Sequence, residues 1–317
     1  MPSVERVARH PGLIAGGAAT LILGTLAAWV AHKANRAERT HRPHGEFVTI
    51  DGVRLHYLDI GSGAPVVLLH GNAVHAMDFT ASGLLSLLAR KYRVIAFDRP
   101  GFGHSARPRD RLWTAAAQAA LIRRALDRLG IVNPTVLGHS WGTMVALELA
   151  LRPDAHVRKL ALVSGYYFPT ARADALLAAP QAVPLLGDLI RYTVSPLLAR
   201  ATLDRTVKTM FAPRPVPVDF VPTLSREMLV RPSQLRANSE DAVFMVPGAA
   251  RLRERYRTLN VPTVIFAGDA DRVVDPVAHS FRLHRELPGS ELHLFPGVGH
   301  MAHHGAADTI ADAIAQG

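Results

Sequence analysis

Gly138-His139-Ser140-Trp141-Gly142 sets a serine between two glycines, directly after a short apolar run and at the start of a helical stretch. A serine on such a strand-to-helix turn projects its hydroxyl outward, and glycines at either side spare the neighbouring backbone a steric collision. The helix N-terminus that follows favours developing negative charge. A serine hydroxyl is a poor nucleophile at neutral pH, so it needs a base within hydrogen-bond reach. With 16 histidines in the chain, position has to select the base. His300 closes Gly297-Val298-Gly299-His300, after the strand-like run 292–295 and before the terminal helix, which puts it on a loop at a sheet edge. His303 and His304 fall within that helix and are assigned to packing or solvent. The carboxylate that orients the imidazole should come from another strand end. Gly268-Asp269-Ala270-Asp271 supplies two candidates and Asp275 a third, all in the chain order serine, aspartate, histidine. Carbonyl attack also needs two backbone N–H groups at the oxyanion. These are expected from Trp141, next to the serine, and from Asn72 in Leu69-His70-Gly71-Asn72. The plainer reading of that second segment is an ordinary turn held by His70.

The elements that must carry these residues are legible as periodicity. Runs 47–50 and 53–59 flank Asp51-Gly52, a pair favoured in two-residue hairpin turns. Short apolar runs follow at 66–69, 94–97, 135–137, 160–163 and 263–267, as strands buried on both faces. Helical stretches 78–91, 115–129 and 141–151 separate them, and the alternation predicts a parallel sheet with right-handed crossovers. Open sheets of this kind hold their sites beyond the carboxyl ends of the strands, where the loops named above lie. Residues 166–247 break the alternation with Pro, Ala and Leu and no clear buried strand, as a helical cap would. The expected division is residues 46–165 and 248–317 for the core, 166–247 for the cap and 1–45 for an N-terminal appendage. Asp98-Arg99-Pro100-Gly101-Phe102-Gly103-His104-Ser105 reads as a rigid turn that shapes the pocket.

Four motifs in this order resemble the α/β-hydrolase family, over residues 45–317. The resemblance implies a mostly parallel sheet flanked by helices with a cap inserted, and its G-x-x-D pattern selects Asp271. It also implies an acyl-serine mechanism. Ser140 attacks, His300 takes and returns the proton, Asp271 fixes the tautomer, and water releases the acyl group. Carboxylic-ester hydrolysis, of a small or lipophilic ester, is the leading expectation. The Ser-Trp-Gly elbow is similar to that of proline iminopeptidases, in which Glu227, Glu240 and Asp241 of the cap would be candidates to receive an amino terminus. Carbon-carbon bond hydrolases and cofactor-free perhydrolases share the framework. Asn72 beside Trp141 also resembles haloalkane dehalogenases, where such side chains hold the halide. Those enzymes and epoxide hydrolases use an aspartate nucleophile, whereas alkylation of Ser140 would leave a stable ether. A catalytically silent, membrane-anchored binding protein is the reading of another class, and the full set of expected side chains counts against it.

Composition bounds the remainder. The chain has 317 residues, 49% hydrophobic and 20% charged, enough to bury a large core. Its net charge of +10 is spread over scattered arginines without a basic run or a nucleic-acid motif, so no nucleic-acid partner is expected. Cysteine is absent, which excludes disulfides, a thiolate nucleophile and cysteine-ligated metal. No cofactor or metal is expected, and the oligomeric state is open. Residues 12–31 carry no charge and match a bilayer core about 30 Å thick. A retained single-pass anchor is therefore expected in preference to a signal peptide, with Trp29 near the interface and residues 33–45 as a basic tether. Lys33, Arg36, Arg39 and Arg42 outnumber Arg6 and Arg9 across that run, which leans the catalytic part toward the cytoplasm without settling the side.

Overall fold

The computed structural model describes residues 11–316. Eight strands form one sheet: β1 (Glu46–Ile50), β2 (Val53–Ile60), β3 (Pro65–Leu69), β4 (Arg93–Phe97), β5 (Thr135–His139), β6 (Lys159–Val163), β7 (Thr263–Gly268) and β8 (Glu291–Phe295). Their spatial order is β1-β2-β4-β3-β5-β6-β7-β8. β1 and β2 pair antiparallel around Asp51 and Gly52, both at positive φ as a tight hairpin turn requires. β2 also runs antiparallel to β4, and every later pairing is parallel. The strand pattern predicts this mostly parallel sheet, and the α/β-hydrolase architecture is the one that the motif resemblance implies. Side chains alternate across it with the two-residue period of a strand. Val67, Leu69, Ile95, Phe97 and Val136 face the helices Ala115–Arg128 and Gly142–Ala150, while Val66, Leu68, Val94, Ala96 and Leu137 face Leu84–Leu88 and the terminal helix.

The order fixes where a site can form. From β3 the chain first moves to one neighbour, β4, and later returns to fill the other side with β5. The loops after β3 and β5 therefore diverge and leave a crevice at their carboxyl ends. Six α-helices and a short 3-10 turn, Tyr256–Thr258, occupy the stretch between β6 and β7, and the last α-helix, Pro232–Arg253, runs beyond the expected cap boundary at 247. The expected helix 78–91 is two short ones, Met77–Ala81 and Leu84–Leu88, because Gly83 between them adopts φ +76°.

The N-terminal expectation is overturned. Among the described residues no helix is long and apolar enough to cross a membrane. The uncharged run and the basic run form one unbroken helix, Pro11–Thr40, so residues 33–40 are no loose tether. Its second half is committed to packing on the protein: Val30 and Ala37 are buried, and Glu38 pairs with Arg231 at 2.7 Å. The single-pass anchor and the membrane partner are withdrawn on that finding. Arg6 and Arg9, on which the orientation rested, lie outside the described residues.

Candidate active site

Ser140 follows β5 at φ +52°, a left-handed conformation that costs a non-glycine residue about 1 kcal/mol or more. Neighbours hold it there. Its N–H donates to the Val163 carbonyl at 2.8 Å, and its carbonyl accepts from the Thr143 N–H and hydroxyl at 3.0 and 2.6 Å. The flanking glycines are sterically required: a Cβ on Gly142 would lie 2.2 Å from the Leu69 carbonyl oxygen, and one on Gly138 2.7 Å from that of Gly142.

The loop after β8 carries His300 to the serine. His300 Nε2 lies 2.9 Å from Ser140 Oγ and Nδ1 lies 2.8 Å from Asp271 Oδ2. A carboxylate only accepts, so Nδ1 bears the proton and Nε2 offers its lone pair to the hydroxyl. The other Asp271 oxygen accepts from the Val273 and Val274 N–H groups at 2.8 and 3.0 Å, which locks the carboxylate. Both side chains are nearly fully buried, so the pair interacts through a medium less polar than water. Of the other carboxylates considered, Asp269 accepts from the Gly297 N–H and ties two loops together, and Asp275 caps the next turn at Val277.

Asn72 and Ser140 line the same cavity. Gly71 permits the close approach of the two loops, since a Cβ there would lie 3.0 Å from that of Ser140. Among the described residues the backbone N–H groups of Asn72 and Trp141 donate to no backbone carbonyl. The side chains are engaged elsewhere. Trp141 Nε1 donates to the Asp241 carbonyl at 2.9 Å, and Asn72 Oδ1 accepts from Arg99 at 2.8 Å. An indole N–H spent on a helix carbonyl is not available to a halide. His70 is the turn's brace: Nδ1–H donates to the Gly71 carbonyl and Nε2 accepts the Arg99 N–H. Burial and the nearby Arg99 push its pKa down to about 3, so it is neutral.

Sequence reasoning missed the ion cluster behind this loop. Arg99, fully buried, donates to Asp241 at 2.6 Å and to the His70 and Gly71 carbonyls, and its guanidinium stacks on Trp141. Arg107 reaches the second Asp241 oxygen at 3.0 Å and Glu240 at 2.6 Å. The only sequence signal was an arginine inside an otherwise glycine-rich turn. The same cluster removes the basis for an amino-terminus receptor, because Glu227, Glu240 and Asp241 all pair with arginines and none lines the cavity.

That cavity, of about 800 Å³, opens onto Ser140 and His300. Its wall includes Tyr166, Met210, Met245 and three arginines, Arg172, Arg205 and Arg272, while among the described residues no aspartate or glutamate lines it. For metal, the nearest approach to a donor set is Asp78, His139 and His303, within 4.8 Å of one another. Both Asp78 oxygens already accept imidazole N–H groups, so these residues form a hydrogen-bonded cluster.

The family model for the alpha/beta hydrolase fold matches residues 64–307. A 2-hydroxy-6-oxononadienedioate/2-hydroxy-6-oxononatrienedioate hydrolase of Pseudomonas putida is 30% identical, over 79% of this chain and 86% of its own. A haloalkane dehalogenase of Mycobacterium bovis is 28% identical, over 82% and 90%. Among solved structures, an esterase from Exiguobacterium antarcticum superposes with a TM-score of 0.70 at 23% identity, over 86% of this chain and 98% of that one.

Proposed function

The chain belongs to the alpha/beta hydrolase fold family, and from that premise we propose that it is a serine hydrolase acting on a small carboxylic ester through an acyl-serine intermediate. One observation carries the reading: the continuous chain from the Ser140 hydroxyl through His300 to Asp271, at 2.9 and 2.8 Å. His300 removes the hydroxyl proton as Oγ bonds to the substrate carbonyl carbon, and Asp271 stabilises the imidazolium. The developing oxyanion turns toward the N–H groups of Asn72 and Trp141. The imidazolium then protonates the leaving alcohol. Water, deprotonated by the same imidazole, releases the acid and restores the serine.

A second reading, hydrolysis of a carbon-carbon bond in an unsaturated oxo acid, is favoured by the basic cavity. Three arginines, with no aspartate or glutamate lining among the described residues, suit a carboxylate-bearing substrate, and the Pseudomonas relative is named for a dioate. A fluorophosphonate probe should label Ser140. Ester turnover by Ser140→Ala should drop at least about a thousandfold with the circular-dichroism spectrum retained. Hydrolysis that persists in the pure variant would overturn the serine mechanism. Hydrolysis of a 2-hydroxy-6-oxo-2,4-dienoate in clear preference to nitrophenyl esters would select the second reading.

A further inference from the structure

A second carboxylate-histidine cluster lies directly behind the one described, and the reaction above makes no use of it. Asp78 sits in the short helix after β3, fully buried. Its Oδ2 accepts from His303 Nε2 at 2.9 Å and its Oδ1 from His304 Nε2 at 2.8 Å. These histidines come three and four residues after His300. His139, the residue before the nucleophile, faces the same carboxylate with Nδ1 at 4.0 Å, and its Nε2 lies 3.2 Å from the His300 carbonyl oxygen. A carbonyl only accepts, so His139 donates through Nε2. Its ring centre lies 5.1 Å from that of His300 and 4.3 Å from that of His303.

We propose that His139 and Asp78 are positioning residues for His300. The inference rests on the reading of His300 as the base. Asp271 holds the imidazole but not the backbone that carries it. That backbone is the end of a glycine-containing loop; beside the bond of the Met301 N–H to the Met210 carbonyl at 3.3 Å, three side-chain bonds from elsewhere in the fold secure it. His139 holds the carbonyl of residue 300 from the elbow side, so one turn carries both the nucleophile and a tether to the base. Asp78 anchors the chain just beyond, through two imidazoles. Apolar filler would pack these spaces without leaving Nδ1 of His139, His303 and His304 buried and unpartnered, a cost of about 1 kcal/mol or more for each. A catalytic imidazole displaced by about 1 Å loses up to about a hundredfold in rate. The tethers act against that loss.

The test uses the full chain and the rate constant of Ser140 phosphonylation at saturating fluorophosphonate, which requires no knowledge of the substrate. His139→Leu, which removes the donor, should slow that rate constant about tenfold or more, with a smaller change in probe affinity. His139→Gln, which keeps an N–H donor, should recover most of it. Asp78→Asn and His304→Leu should slow the reaction in the same way, and His304→Leu, at the less buried end of the cluster, serves if the Asp78 variant fails to fold. Folded His139→Leu and His304→Leu proteins that label at the parent rate overturn the proposal. Equal losses in the Leu and Gln variants of His139, tracking a lower melting temperature, also overturn it, since they indicate packing alone. Loss of labelling in chelator-treated parent protein, restored by zinc, would replace it with a metal site. If the parent protein is not labelled at Ser140, the assignment of His300 as base fails instead.

Discussion

The two halves of the segment between β6 and β7 are built on opposite principles. The inner helix, Pro232–Arg253, is fastened to the sheet by buried polar groups: Asp241 between Arg99 and Arg107, Asn238 accepting from the Ala73 N–H at 2.8 Å, and Gln234 donating to the Val74 carbonyl. The outer helices, Ala173–Ala182 and Leu186–Tyr192, and the link between them leave Leu176, Leu177 and Leu185 about four-fifths exposed (78, 80 and 84%). They pack on that inner helix and on each other, and the surface pair of Arg109 with Asp188 at 2.6 Å links them to the loop after β4. The inner half thus behaves as core, and through Ala73 and Trp141 it sets the loop and elbow at Ser140. The outer half borders the cavity through Ala173, Ala178 and Gln181 while adding little burial, the local condition for low-energy opening. One insertion supplies both the fixed wall and the yielding wall of the same pocket.

Asp241→Ala should break the contrast most severely. It leaves two buried guanidinium groups without their shared carboxylate and should cost about 3 to 5 kcal/mol in urea unfolding. A loss below about 1 kcal/mol would mean that the inner helix is held by packing, like its outer neighbours.

Acid should come next. Burial pushes His70 down to about 3 and lowers His75, His139 and His303, so these are neutral when folded. The unfolded chain takes up their protons near pH 6.5, and the folded chain does so only further down. Stability therefore falls as pH drops below about 6.5, by up to about 1.4 kcal/mol per pH unit for each such histidine. Asp98 extends the trend to lower pH: burial raises its pKa, but the hydrogen bond from His56 outweighs this and holds it below the carboxylate range, so its contribution is lost only below about pH 4. The outer Asp188, held low by its hydrogen bond from Arg109, should keep its pairing throughout. An unfolding midpoint unchanged between pH 7 and 5 would contradict the neutral-histidine framework.

The smallest effect belongs to the outer half. Arg109→Ala, which removes the exposed partner of Asp188, and Leu177→Ser should each change unfolding free energy by no more than about 1 kcal/mol. Faster proteolysis within residues 173–192, without a shift in global stability, would sharpen the distinction. A global loss comparable to that of Asp241→Ala would abolish it.

Much of this was legible because local pattern and tertiary demand coincide. The apolar runs became strands within a residue or two, since each is buried on both faces and no register slip could preserve that burial. The glycines around Ser140 signalled a close approach that the structure shows at Leu69. The continuous helix over residues 33–40 was not legible, because a basic stretch looks alike whether it is solvated or docked, and only the partner Arg231, far along the chain, distinguishes the two. Asp241 failed for the same reason. A carboxylate inside a helical insertion carries no local sign that two arginines from the loop after β4 will enclose it.

From the sequence alone came the sheet, the elbow, and a serine, a histidine and three carboxylates at strand ends, because these depend on spacing within one element and the turn that follows it. Only the tertiary structure decided where the N-terminal helix rests, and that His139 and Asp78 stand behind the imidazole. Those outcomes depend on distances between segments more than a hundred residues apart, and they are set by strand order and by the pairing that each buried charge or N–H must find.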